Sequence, residues 1–345
     1  MRWLEQRIRR YEHARWTTDD NRRVLPFEWG LEHIGGRPND PDPRGFLKNW
    51  VPKTIAHSDE WFRARPATDY RFEKIVPGRK GEGALTFTSA VKSPWPENNR
   101  VSARFLQARK TGAAIVMLPQ WNAKWDGQLT LCRWLNALGI SVLKLTMPYH
   151  DRRAIPGHDR ADYLVGSNIG LTLQANRQAV TDTRQCLAWL AEQGYDRLGL
   201  VGISIGSSVG SITMAHEPLV RSAAFLHVST YFGDVVRTGM NTSHVWEGMR
   251  GKITAEELRN YWSPISPMPY LHRLGGGKRQ FLAVAGDHDP TFLPEFTYEM
   301  FAALRANKVP HETLVLPCGH YSLELTPFAH VAAYRIGTYL MQQLA

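Results

Sequence analysis

Cysteine is scarce: the 345 residues contain three, Cys132, Cys186 and Cys318. An odd number with no CxxC pair excludes a disulfide framework and points to a reducing, cytoplasmic setting. No group of cysteine and histidine has zinc-ligand spacing, so no metal is expected. No stretch approaches the length of apolar chain that spans a bilayer, so no transmembrane helix is expected. Residues 1–10 lack the apolar centre of a secretory leader. Acidic residues are outnumbered, 32 Asp and Glu against 42 Lys and Arg, for a net charge of +10. No nucleic-acid-binding signature accompanies that excess, so it reads as a solvated basic surface and nucleic acid is not an expected partner. Hydrophobic residues make up 43% of the chain. That is enough for a substantial core and excludes wholesale disorder.

The chain divides near Gly81. Residues 1–80 hold five of the twelve tryptophans, with much arginine and proline and little strand alternation. Leu4, Ile8 and Tyr11 share a helical face over the first sixteen residues, with arginines on the others. The aromatic content predicts an extension packed on its own core. A basic helix resting on a membrane surface is the alternative. Asn39 to Pro43 is a loop. From Gly81 the pattern becomes regular. Strands are predicted at 84–91 and 101–108, joined as a hairpin through Ser93 to Asn99. Further strands are predicted at 113–118, 140–145, 198–203, 223–228, 281–285 and 311–316. Helices are predicted at 128–138, 169–192, 207–215, 294–307 and 328–344. A hairpin followed by alternating strands and helices implies an α/β, doubly wound, mainly parallel sheet with an antiparallel N-terminal hairpin. Ligands then bind beyond the carboxyl ends of the strands.

One strand end carries Gly202-Ile203-Ser204-Ile205-Gly206. A buried strand precedes this GxSxG and a helix of small residues follows it. The serine must occupy a strained turn, and side chains two residues either side would clash, hence the glycines. Such a turn exposes the Ser204 hydroxyl and sets the Ile205 amide, at a helix N-terminus, beside developing negative charge.

With these residues the region from Gly81 to Ala345 resembles the α/β-hydrolase superfamily, and within it the serine esterases. The resemblance implies a nucleophile, an acid and a histidine in that chain order. The acid then falls on Asp289 in Gly286-Asp287-His288-Asp289-Pro290, with Asp287 as its competitor. The histidine falls on His320, after Gly319. Their implied roles are nucleophile for Ser204, general base for His320 and orienting carboxylate for Asp289. Cys318 reads as a small buried residue. The chain departs from the family where many relatives carry His-Gly, reading Pro119-Gln120-Trp121-Asn122 instead. By position, the amides of Ile205 and Trp121 form the oxyanion hole, and Gln120 or Asn122 could contribute. The loop from Met147 to Arg153 borders the pocket, which makes Tyr149, His150 and Arg153 candidate substrate-binding residues. Arg152 or Arg153 could grip a carboxylate or phosphate, or else pair with Asp151 or Asp159. The Pro148-Tyr149-x-x-x-Arg153 pattern is similar to the branch typified by α/β-hydrolase-domain-containing protein 18.

An insertion at about 232–278 reads as a cap, with Thr254 to Glu257 as a capping box and Gly275 to Gly277 as its exit turn. The resemblance implies carboxylic-ester hydrolysis of a small molecule without a cofactor. Peptidase and acyltransferase activities are the enzymatic alternatives. A catalytically silent binding module on the same scaffold is the alternative of another class.

Overall fold

The computed structural model describes residues 2–18, 21–75, 81–109, 112–275 and 279–345. Gly276 and Gly277 of the expected exit turn lie outside them.

The strands are β1 (Arg71–Lys74), β2 (Glu82–Thr88), β3 (Arg100–Leu106), β4 (Ala113–Leu118), β5 (Ser141–Leu145), β6 (Arg197–Ile203), β7 (Val220–Leu226), β8 (Gln280–Gly286) and β9 (His311–Leu316). They form one sheet in the order β1-β2-β3-β5-β4-β6-β7-β8-β9. The first three strands and the β3–β5 pair run antiparallel, and every pair from β5 to β9 is parallel. All six residues of β4 are buried, as expected for a strand covered on both faces. Strand β1 was not expected. Its four residues, RFEK, are exposed and show no apolar alternation. It is held at the sheet edge by pairing with β2 and by Phe72, whose ring occupies the space a side chain on Gly83 would need: a Cβ there would lie 2.2 Å from it.

The helices, in chain order, are α1 (Arg2–Thr17), α2 (Pro43–Ala56), α3 (Ser58–Trp61), α4 (Pro96–Asn99), α5 (Leu129–Ala137), α6 (Ile169–Glu192), α7 (Ile205–His216), α8 (Phe232–Thr238), α9 (Ser243–Met249), α10 (Ala255–Tyr261), α11 (Pro294–Ala306) and α12 (Phe328–Gln343). No helix among the described residues is long and apolar enough to cross a membrane. Thr254 and Glu257 form the reciprocal capping box at the start of α10.

Leu31, Leu47 and Phe62 belong to the same buried cluster as Leu85, Val116 and Leu200 of the sheet, and Trp29, Trp50 and Trp61 pack against it. Arg177 and Arg184 of α6 donate to the Trp61 and Phe62 carbonyls at 2.7 and 2.6 Å. Trp3 is different, being 66% exposed. The buried side of α1 also differs from the expected one. Ile8 is buried but Leu4 is exposed, and among the described side chains of the helix the other buried one is Glu12.

Burying Leu31, Leu47, Val51 and Phe62 contributes roughly 1.5–3 kcal/mol each. Together that rivals the whole stability of a typical domain, about 5–15 kcal/mol. Deleting residues 1–80 should therefore give an insoluble protein, or one whose Tm is lowered by more than about 15 °C. A soluble truncation melting with the full chain would contradict this.

Candidate active site

Strand β6 passes directly into α7 with Ser204 alone between them, at φ 56° and ψ −121°. Neighbouring atoms leave no room for side chains beside it. A Cβ on Gly202 would lie 2.3 Å from the Gly206 carbonyl oxygen, and one on Gly206 would lie 2.2 Å from that of Leu118. The strained serine backbone is tied by its own N–H to the Leu226 carbonyl at 2.9 Å and by its carbonyl to the Ser207 amide at 2.8 Å. Ser207 Oγ lies 2.7 Å from both the Ser204 and the His227 carbonyl oxygens and shares its one hydrogen between them. Strands β4 and β6 are neighbours, with β5 beyond β4 and β7 beyond β6. Ser204 and the Pro119–Asn122 loop thus flank the point where the strand order reverses, where such sheets form a crevice.

The acid and the histidine come from the turns after β8 and β9, which are laced together. The amides of Asp287 and His288 donate to the Leu316 and Cys318 carbonyls, each at 2.9 Å. Asp289 Oδ2 accepts from His320 Nδ1 at 2.9 Å. Its Oδ1 accepts from the amides of Thr291 and Phe292 at 2.8 and 2.9 Å. Asp287 points elsewhere, accepting from the exposed Tyr298 hydroxyl. Asp289, not Asp287, therefore reaches the histidine.

A residue that the sequence reading did not single out completes this group. His227, directly after β7, donates from Nδ1 to the same Asp289 Oδ2 at 2.7 Å, with its ring centroid 4.2 Å from that of His320. The available signal was its place at the carboxyl end of a parallel strand. Its left-handed backbone, φ 58°, marks the same spot.

Electrostatics separates the three groups. Burial alone would raise the Asp289 carboxyl, but the two imidazoles facing it hold it well below the usual range. Burial also opposes charge on His320, yet the Asp289 charge and hydrogen bond, with Glu12 and Glu324 beyond, raise its pKa. Burial and the neighbouring His320 lower that of His227. One ring nitrogen of each histidine and a carboxylate oxygen lie within 4.8 Å of one another and form the one such cluster among the described residues that could hold a metal ion. Their 2.7 and 2.9 Å separations are those of N–H···O bonds. Cys318 is fully buried. Burial, with Asp289 and Glu12 nearby, pushes its thiol up to about 12, so it is a poor nucleophile.

The Pro119–Asn122 loop takes its shape without a glycine. Asn122 itself adopts φ 61°. Its amide donates to His150 Nε2 at 2.8 Å, and its side-chain oxygen accepts from the Ala161 amide at 2.8 Å. That commits the Asn122 amide to the loop. Trp121 is held by Nε1 on the Ala161 carbonyl and by stacking on His244 of α9.

The three candidate substrate residues have different surroundings. Arg153 is fully buried, paired with Asp182 at 2.9 Å and bonded to the Asn98 and Thr146 carbonyls. It is a structural ion pair, and the expectation that it binds substrate, or pairs with Asp151 or Asp159, is corrected. Distance along the chain hid Asp182 from the sequence reading. His150 is 2% exposed. Its Nδ1 donates to the Pro148 carbonyl at 2.8 Å, and burial holds its pKa near 4. It therefore braces the Pro119–Asn122 loop. Tyr149 is also buried, at φ 64°. Both nevertheless border a polar cleft beside that loop, with Asn122, Lys124, His158 and Arg160. The neighbouring Arg152 lies over the Trp125 ring at 3.7 Å.

The inserted segment touches the loops after β4, β8 and β9. His244 meets Trp121, the Met240 amide donates to the Pro290 carbonyl, and Asn241 accepts from the Tyr321 hydroxyl.

Comparison with known proteins fits this layout. Residues 170–324, from α6 through the serine, acid and histidine turns, match the prolyl oligopeptidase family, Peptidase S9. No curated protein matches the chain in sequence. Acetyl xylan esterase 1 from a Thermoanaerobacterium species superposes with a TM-score of 0.59 at 14% identity, covering 84% of this chain and 93% of that one. Acetyl xylan esterase from a Paenibacillus species also gives 0.59 at 14% identity, over 88% and 96% of the two chains. An acylaminoacyl peptidase from Pyrococcus horikoshii gives 0.55 at 11% identity, over 77% of this chain but 42% of its own. Sheet order, serine turn and neighbours agree: the chain has the α/β-hydrolase fold.

Proposed function

We propose that this chain is a serine hydrolase that cleaves carboxylic esters of small molecules through an acyl-enzyme. The observation that carries the reading is the strained Ser204 turn at the same carboxyl end of the parallel strands as the hydrogen-bonded Asp289–His320 pair. In this mechanism His320 takes the Ser204 proton as the oxygen attacks the acyl carbon. Asp289 holds the Nδ1–H tautomer, which leaves Nε2 as the base, and stabilises the imidazolium. The Ile205 and Trp121 amides receive the oxyanion, a donor pair in which each member is worth roughly 3 kcal/mol of transition-state stabilisation. His320 returns the proton to the leaving alcohol, and water repeats the sequence on the acyl-enzyme.

Peptidase activity is the second reading, because the matched family is one of peptidases. Ester cleavage is preferred because the two esterase neighbours correspond to this chain over nearly their whole length, and the peptidase neighbour does not. The branch assignment rests on the Pro148 to Arg153 loop, and the cytoplasmic location on the cysteine usage.

A fluorophosphonate should label Ser204. A panel of short and long p-nitrophenyl esters beside aminoacyl amides should show ester turnover dominant. Absence of labelling on a folded protein would leave a binding module, and dominant amide cleavage would favour the peptidase.

The pH dependence has a definite sign. His320 acts only when neutral, and its pKa is raised from the ordinary 6.5. Activity is therefore lost as pH falls through a value above 6.5, and kcat/KM should rise through an apparent midpoint there that belongs to His227, Asp289 and His320 together. A midpoint clearly below 6.5 would contradict the charge arrangement.

A further inference from the structure

The loop that carries His320 is held by a residue from the other end of the chain. Glu12, on α1, is 1% exposed. Its Oε2 accepts from the Tyr321 amide at 2.9 Å. Its Oε1 accepts from the Ser322 amide at 2.8 Å and from Ser322 Oγ at 2.7 Å. Ser322 Oγ in turn accepts from the Gly319 amide at 2.7 Å. The loop around His320 is thus closed on itself and tied to one carboxylate. A Cβ on Gly319 would lie 2.5 Å from the Glu12 carboxyl carbon, so the glycine before the histidine is what lets Glu12 approach. Ile8, one turn earlier on α1, is buried and docks the helix, and Arg15 lies over the Tyr321 ring at 5.7 Å.

The remainder of the described helix is largely solvent-facing: Trp3, Leu4 and Arg9 are exposed. Packing of α1 therefore does not by itself explain a buried acid. Without Glu12, two backbone N–H groups and a hydroxyl would be buried with no acceptor, each costing about 1–3 kcal/mol, and the loop would move to find water.

We propose that Glu12 is a positioning residue of the active site: α1 holds the 319–322 loop so that His320 is presented to Ser204, and turnover requires that helix to be docked. The proposal rests on the hydrolase reading above. It assigns the N-terminal helix a catalytic purpose beyond covering the core. The groups facing His320 are Asp289 and His227 from the turns after β8 and β7, Glu324 from its own loop, and Glu12 from α1. Phe292 stacks on its ring at 5.6 Å. Glu12 is the one acid among these that comes from the N-terminal extension, and its charge favours the imidazolium.

The test uses the full chain with Glu12→Ala, Glu12→Gln and, on the solvent side of the same helix, Arg9→Ala. Readouts are kcat and KM on p-nitrophenyl acetate, the pH profile of kcat/KM, hydrogen exchange of residues 319–323, and Tm. Displacing a catalytic group by about 1 Å costs on the order of 10²-fold. Glu12→Ala should accordingly lose about 10²-fold in kcat with KM changed less than about threefold, and exchange should quicken at 319–323 before it does elsewhere. Glu12→Gln keeps an acceptor for Ser322 but turns an amide N–H₂ toward the Tyr321 N–H. It should be intermediate in kcat, and its acid limb should move to lower pH because a negative charge is gone. Arg9→Ala should match wild type.

Wild-type kcat and an unmoved acid limb in a folded Glu12→Ala would overturn the proposal. So would a Glu12→Ala loss explained by global unfolding together with a Glu12→Gln that has wild-type kcat and pH profile. If Glu12→Ala does not fold, Glu12→Gln alone decides, through its acid limb. A wild type that is inert and unlabelled sinks the hydrolase reading and the proposal with it, whereas an active wild type with indifferent Glu12 variants sinks the proposal alone.

Discussion

Ser204→Ala should lower ester turnover by about 10⁶-fold, as when the nucleophile of an interdependent triad is lost, while leaving Tm within about 2 °C of wild type. Both halves follow from local geometry. The bonds that hold the turn are made by backbone atoms: the Ser204 amide to Leu226, and the Ser204 carbonyl to Ser207. The side chain serves as no cap for α7. Alanine meets the same left-handed backbone as serine, so the strain is unchanged. Turnover on a p-nitrophenyl ester, fluorophosphonate labelling and a thermal melt decide the matter. Residual turnover within a hundredfold of wild type would mean that another group performs the attack.

Asp289→Asn should lower kcat by on the order of 10⁴-fold, and Asp287→Asn by less than about twofold. The reason lies in how the carboxylate is used. Oδ1 takes two backbone N–H groups and Oδ2 takes two imidazole N–H groups. In the asparagine variant the amide oxygen must stay with the backbone pair, since N–H₂ cannot accept from them. The N–H₂ is then turned toward both histidines. Each must present a bare Nδ1, which moves the His320 proton to Nε2, where a base is needed. The negative charge that stabilises the imidazolium is lost as well. Asp287 makes its bond to an exposed tyrosine and shares none of this. The two variants assayed side by side give the ranking. A greater loss in Asp287→Asn would move the acid to that residue.

What was legible in the sequence is what local chemistry dictates. Apolar periodicity gave β4, β6 and α6 to within a residue or two. The glycines of the serine turn were readable because crowding acts within five residues of chain, whereas Asp289 and His320, which share a hydrogen bond in the structure, were named only through the family resemblance. The fit of Arg153 was not. A loop arginine beside acidic residues has the same local pattern whether it meets a ligand or a buried partner, and Asp182 lies on a helix much further along. Strand β1 was missed because its four largely exposed residues, RFEK, show no apolar alternation to announce it.

Strand and helix rhythm and the shape of the serine turn were thus set by neighbours in sequence, through backbone sterics and apolar period. The tertiary structure alone decided which polar groups share a buried space. It placed His227 on Asp289 across 62 residues and Glu12 on Ser322 across 310. It set His150 to brace the Asn122 loop while bordering the polar cleft beside it. The physical reason is that burial of apolar residues is a collective demand with a period, visible in a few turns of chain. A buried polar group needs one particular partner at hydrogen-bond distance, and nothing in its own neighbourhood of sequence says which partner the fold will deliver.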